Sequence, residues 1–321
     1  MRFGIHAGPQ DCTLDELRRL WRFADDRGFH WCSVWDHLYS ISDLGNPANP
    51  SYEAVTTMTA LAATTTRVRV GCLVFCVGYR NPGVLCKAAV TIDHLSGGRV
   101  EIGLGAGWNE REFSAFGMPF LPIKDRLDQL EENAIVLRRL FDGERVTFEG
   151  KHVRLTDALC DPRPAQPRLR LWIGGQGEKR LLRIVARHAD GWNVPFLAPE
   201  VYAQRMRTLD DWCAKEGRDP RAITRTINVG LAIGRDDADV ARQESLLPGM
   251  FGGLTDFVKP GILIGTPARV IDRIGEYERA GAEWVILALR APFDWEGLEL
   301  FVRDVMPAFS MGTPSACSPA T

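Results

Sequence analysis

Three groups of residues in this 321-residue chain have the types and spacing to do chemistry. Asp36-His37 ends the run Trp31 to Asp36 (WCSVWD), which reads as a strand. At the C-terminal end of a barrel strand a histidine is placed to give or take a proton near neutral pH, with a nearby carboxylate fixing its tautomer. Gly174-Gly175-Gln176-Gly177 follows another strand-like run and opens a helix. Backbone N–H groups in such a turn converge on an anion, the helix dipole favours negative charge, and glycine permits close approach. No G-K-[ST] follows, so the turn is not a Walker motif. The third group is Gly103, Gly105 and Gly107 with Trp108. A dinucleotide fingerprint needs glycine where Glu110 stands, so these glycines read instead as a strand end that lets a flat ring lie close to the backbone. Trp108 then borders the ring or belongs to the core.

These groups need elements to hold them. Arg67 to Val77 (RVRVGCLVFCV) is the continuous apolar run of a buried parallel strand. Pro82 opens a helix that Ser96-Gly97-Gly98 stops, and Arg99 to Gly105 is the next strand. Upstream lie a strand from Arg2 to Ala7, a helix capped by Thr13, and, after the second strand, a loop (Asn46 to Ser51) and a helix from Tyr52 to about Thr65. Downstream the spacing predicts a helix from about Asp125 to Phe141, a fifth strand at Leu169 to Ile173, a helix from Glu178 to His188, and a sixth strand at Asp190 to Val194 with its helix at Pro199 to Lys215. Strand seven is Ile223 to Ile233, followed by a helix at Thr266 to Ala280, strand eight at Trp284 to Leu289 and a last helix at Asp294 to Phe309.

Eight strands alternating with helices are the sequence form of an α/β (β/α)₈ TIM barrel, here a single domain over residues 1–309. Two segments decorate it. Arg145 to Leu155 alternates around Glu149-Gly150 as a surface β-hairpin after the fourth helix. Residues 234–265 lack clear periodicity and read as a loop inserted between strand seven and its helix, where long insertions shape or cover a pocket. Residues 310–321 read as a disordered tail.

Composition excludes several functions. The chain is 45% hydrophobic, enough for a large core, and its net charge of −2 comes with no basic block, so the footprint of a nucleic-acid binder is missing. No run approaches the roughly 18 apolar residues of a membrane span. Eight scattered cysteines without a C-x-x-C pair, and a start that enters a strand at Arg2 without a leader, fit a reduced cytoplasm. The six histidines show neither H-x-H nor H-E-x-x-H spacing, so no metal is expected, and no G-x-S-x-G marks a serine hydrolase.

SVWDHL (Ser33 to Leu38), VGCLVFCVGYRNP, GGRVEIGLGAGWNEREFSAFG (Gly97 to Gly117) and WIGGQGEKRLLRIVARHADGWN (Trp172 to Asn193), in this order, resemble the luciferase-like monooxygenase superfamily and, within it, the branch that uses the deazaflavin coenzyme F420. The resemblance runs from Arg2 to about Phe309 and implies a (β/α)₈ barrel holding a flavin or deazaflavin at the strands' C-terminal ends. It implies a strand-three bulge at Cys72, Leu73 and Val74, with a non-prolyl cis bond between Leu73 and Val74 supporting the ring. It implies that Asp36 and His37 sit by the ring, that Ala106 and Gly107 line it with Trp108, and that Gly174, Gly175, Gln176 and Gly177 bind the phosphate. One departure stands out: sugar-phosphate dehydrogenases of this branch place a glutamate where this chain has Trp108. The implied activity is hydride transfer between coenzyme F420 and a small organic substrate, with His37 moving the proton and a homodimer as the assembly to test. The alternatives are a monooxygenase using reduced FMN and a non-catalytic flavin-binding protein.

Overall fold

Strongly apolar runs make the inner wall of the molecule, and helices with one apolar face make the outer one. The computed structural model describes residues 1–41 and 49–309; the expected tail and part of the loop at 46–51 lie outside the described residues. In chain order come β1 (Arg2–Ala7), α1 (Leu14–Asp26), β2 (Trp31–Val34), α2 (Ala54–Thr64), β3 (Arg69–Cys76), α3 (Pro82–Ser96) and β4 (Val100–Gly105). Then follow α4 (Glu110–Ala115), α5 (Ile123–Phe141), β5 (Val146–Glu149), β6 (Arg154–Ala158), β7 (Arg170–Gly174), α6 (Arg180–His188), β8 (Gly191–Pro195) and α7 (Pro199–Lys215). The chain continues through β9 (Thr224–Ile233), α8 (Asp237–Phe251), α9 (Thr255–Val258), β10 (Ile262–Gly265), α10 (Pro267–Arg279), β11 (Trp284–Leu289) and α11 (Trp295–Leu300).

The strands β9, β11, β1, β2, β3, β4, β7 and β8 are neighbours in that order, all parallel, and β8 pairs back onto β9 to close the barrel. The helix starts follow the sequence signals. Thr13 and Glu16 form a reciprocal capping box on α1, and Asn81 with Pro82 opens α3. The hairpin is the antiparallel pair β5 and β6.

Two expectations need correction. Residues 234–265 are not a loop: they fold as α8, α9 and β10, and β10 pairs parallel with the upper half of β9, taking up its edge above the point where Pro195 ends β8. Asp236 caps α8, whose buried Val240, Gln243, Leu247 and Phe251 keep helical spacing. A polar residue within that stripe and Pro248 inside the helix hide the period in the sequence. The last helix is not uniform either, since α11 continues as a π turn over Phe301–Val305 and a 3₁₀ turn over Met306–Phe309.

One end of the barrel is filled. Trp31, Trp172 and Trp284 project inward from β2, β7 and β11, with Trp31 centred 4.8 Å from Trp172 and 5.8 Å from Trp284, and Leu73 packs with them. Trp172 Nε1 donates to the buried Glu101 at 2.5 Å, and Arg69 pairs with the same carboxylate. Open space is left at the strands' C-terminal ends, where barrel enzymes keep their sites.

Candidate active site

The peptide bond between Leu73 and Val74 is cis, where the family resemblance puts it. It sits in a β-bulge: Cys72 pairs with Ile102 and Phe75 with Leu104, so Leu73 and Val74 together oppose Gly103. The bulge aims Val74 at its neighbours, and this explains the glycine pattern. A Cβ on Gly105 would lie 2.3 Å from Val74 Cγ2, and one on Gly174 would lie 2.6 Å from Val74 Cγ1. Gly105 and Gly174 are therefore required by the bulge, whereas the sequence suggested that Gly105 makes room for a ring and Gly174 for an anion. Cys72 departs from expectation as well: its side chain is fully buried in the outer core and does not reach the cavity.

Above the bulge opens a cavity of about 900 Å³. Its wall includes Asp36, His37, Leu73, Val74, Ala106, Gly107, Trp108, Gly174, Gly175 and Gly177, so the groups singled out along 140 residues of chain converge on one space. Leu254, Phe257 and Val258 of the inserted segment form part of the rim, as expected for an insertion at this end. That segment packs through a small core of its own, in which Leu247, Phe251, Val258 and Ile262 meet Phe196 and Ala288.

His37 is held by a residue that sequence reasoning missed. Its Nδ1 lies 2.9 Å from Oε2 and 3.1 Å from Oε1 of the fully buried Glu112 on α4. Glu112 Oε1 also accepts the N–H groups of Leu38 (2.7 Å) and Tyr39 (3.0 Å), and Oε2 accepts the hydroxyl of Tyr79 (2.8 Å). Burial raises the Glu112 pKa, but the hydrogen bond and charge of His37 and the donors from Tyr39 and Tyr79 outweigh it and hold the carboxyl below the usual range. An ionised carboxylate only accepts, so Nδ1 of His37 carries a proton. The half-exposed Trp108 ring packs T-shaped with the imidazole, 5.3 Å between centroids.

Asp36 does not orient His37. Arg80 grips it through Nη1 at 2.5 Å and Nη2 at 2.9 Å, and it accepts the Cys76 N–H at 2.9 Å. Arg80 also reaches Glu53, joining the ends of β2 and β3 to the start of α2. Asp36 is thus a buried tie beneath the site, its pKa pushed up by burial and opposed by Arg80. The sequence could not separate two carboxylates that share a fold end. Adjacency in the chain favoured Asp36, and Glu112 arrives from 75 residues away.

The turn after β7 is only partly open to an anion. Gly175 has φ +137° and spends its N–H on Asn193 O at 3.0 Å, and the Gln176 side chain turns away to donate to Pro195 O. The N–H groups of Gln176 and Gly177 have no backbone acceptor among the described residues, and they precede α6 with Lys179 and Arg180 on the cavity wall. Across the cavity stand two further residues the sequence reading passed over, His6 and Arg290. His6 Nδ1 meets Ser33 Oγ at 2.9 Å, and burial, Arg290 and His37 lower its pKa to about 3, so its imidazole is neutral. Arg290 ends the apolar run of β11, and a charge at that point was the available signal.

Residues 1–250 match the sequence profile of luciferase-like monooxygenases. The chain is 31% identical over 249 residues to an F420-dependent glucose-6-phosphate dehydrogenase of Microbacterium testaceum, spanning 76% of this chain and 72% of that protein. It is 28% identical over 319 residues to a 5,10-methylenetetrahydromethanopterin reductase of Archaeoglobus fulgidus, spanning 98% and 87%. The fold superposes on the coenzyme F420-dependent tetrahydromethanopterin reductase of Methanopyrus kandleri with a TM-score of 0.79 at 22% identity, over 96% of this chain and 99% of that one.

Proposed function

Because the chain belongs to the luciferase-like monooxygenase family, we propose that it is a coenzyme F420-dependent oxidoreductase acting on a small organic substrate, with His37 as the proton donor or acceptor. The observation that carries this reading is the pairing of His37 Nδ1 with Glu112 beside the cis-bulge cavity. The relatives named for F420 supply the cofactor. A volume of about 900 Å³ accommodates a tricyclic ring together with a small substrate. The residues present fit such a coenzyme: Leu73, Val74, Ala106, Gly107 and Trp108 offer a mostly apolar bed, and Gln176 and Gly177, whose N–H groups have no backbone acceptor among the described residues, precede the cationic start of α6. When bound, the deazaflavin supplies the hydride acceptor or donor.

The protein's own part is proton movement and exclusion of water. In the oxidising direction Nε2 of His37 takes the hydroxyl proton as the substrate carbon loses hydride. In the reducing direction the doubly protonated ring returns it, with Glu112 stabilising the cation in both. Trp108 stands where a sugar-phosphate dehydrogenase would carry a carboxylate, so the substrate we propose is not a sugar phosphate. The reading includes residues 1–309 as one barrel domain with the insertion at 234–265. It includes a cytoplasmic setting, supported by seven described cysteines without a disulfide. It also includes a homodimer, supported by the exposed Val84 and Leu95 on α3.

His37→Ala tests the reading. Turnover with coenzyme F420 should fall by about 10² to 10⁴ while coenzyme affinity and melting temperature change little. Near-wild-type turnover in a folded variant would refute the role.

A further inference from the structure

Arg290 is a cation on the cavity wall with no ion pair among the described residues. Its Nη1 is buried and has no hydrogen-bond partner. The guanidinium lies over the Trp35 ring, 4.3 Å from the centroid, with the Phe251 ring 5.5 Å away. Desolvation lowers its pKa to about 10 against a weak opposing pull from Asp11, and the Asp11 carboxylate is engaged by Gln10 Nε2 at 2.6 Å and Ser40 Oγ at 2.9 Å. Proteins rarely bury a cation unless something pairs with it. Arg290 lines the cavity, so a ligand there is in a position to be that partner.

We infer that Arg290 receives a carboxylate of the substrate, which makes the substrate class a small hydroxy- or oxo-carboxylic acid. The wall around Arg290 decides the kind of anion. His6, its neighbour, is neutral, and the other cations on the cavity, Lys179 and Arg180, stand at the start of α6. One guanidinium matches a single carboxylate, fork to fork, and leaves half of a phosphate dianion unmatched. The Trp35 and Phe251 rings beside the guanidinium help exclude water from the pair. β11, β1 and β2 are adjacent strands, so Arg290, His6 and His37 stand side by side. A carboxylate on Arg290 therefore anchors a substrate whose reacting oxygen is directed at His37. The inference rests on the reading above in that the opposite wall is taken by the coenzyme.

The test is calorimetric titration of the full-length protein, with and without bound coenzyme F420, using benzoate, its neutral isostere benzamide, and inorganic phosphate. The wild type should bind benzoate at least about tenfold more tightly than either of the others, the scale of a hydrogen bond to a charged group. Arg290→Leu should abolish that preference without lowering the melting temperature, because it removes a half-buried charge that has no ion pair among the described residues, and Arg290→Lys should retain part of it. Equal affinity for benzoate and benzamide in the wild type, tighter binding of phosphate, or an Arg290→Leu protein that still prefers benzoate would each overturn the inference. Should Arg290→Leu fail to fold, the wild-type preference and Arg290→Lys decide alone. Benzoate selectivity without coenzyme binding would refute the cofactor reading only; coenzyme binding without benzoate selectivity would refute this inference only.

Discussion

On β3, β4 and β7 the wall of the cavity is largely backbone: a cis bulge, glycines that give way to Val74, and a turn with unspent N–H groups. On β11, β1 and β2 it is side chains: Arg290, His6 and His37, each fixed by a specific partner or ring. Backbone geometry reads a ligand's shape and is indifferent to which small molecule lies opposite. Side chains read charge and protonation and change with single substitutions. Under the proposed function the first wall holds a constant coenzyme and the second a variable substrate, so a change on one side should alter a different observable from a change on the other.

The largest effect is expected where the two walls are tied together. Asp36→Ala leaves Arg80 with Glu53 alone and frees the Cys76 N–H, and breaking a buried pair of this kind costs about 3 kcal/mol or more. Urea denaturation should show that loss before any kinetic change is interpreted. Unchanged stability would mean the tie is dispensable.

Glu112→Gln separates orientation from proton transfer. Its amide would present a donor to Nδ1 of His37 and reverse the tautomer, so turnover should drop about ten- to a hundredfold with coenzyme affinity preserved. The same variant has a signature in stability. The folded Glu112 pKa lies below its unfolded value, so its contribution is full above the ordinary glutamate range and is lost as pH falls through the folded value. The Gln variant should therefore show a shallower acid limb in a pH series of thermal melts. A limb parallel to the wild type would contradict the assignment.

The smallest effect belongs to the turn after β7. In Gly175→Ala the new Cβ meets Leu181 Cδ1 at 2.8 Å, and the φ of +137° is one that alanine rarely adopts. The turn should distort enough to weaken coenzyme F420 binding by about tenfold, or 1.4 kcal/mol, with little effect on the affinity of a substrate analogue. Equal losses for both ligands would erase the distinction between the walls.

How much of this was legible in the chain divides along the same line. The eight strands and the glycine turns announce themselves locally, through apolar runs and punctuation, and strand eight at Trp284 to Leu289 is found where periodicity puts it. The site's partners are long-range. Glu112 stands in a polar helix start with nothing local to mark it as buried, and only closure of the barrel brings it to His37. Arg290 is a single charge after an apolar strand, visible but without meaning until Trp35 and the inserted helix close around it. The insertion was misread because Gln243 and Pro248 interrupt a period that tertiary packing nonetheless enforces.

The central claim is that a deazaflavin occupies this cavity, and equilibrium titration of the purified protein with coenzyme F420 and with FMN tests it most directly. One equivalent of coenzyme F420 should bind, with FMN weaker by about a hundredfold, roughly 2.7 kcal/mol. Tighter binding of FMN, or no saturable binding of coenzyme F420, would contradict it.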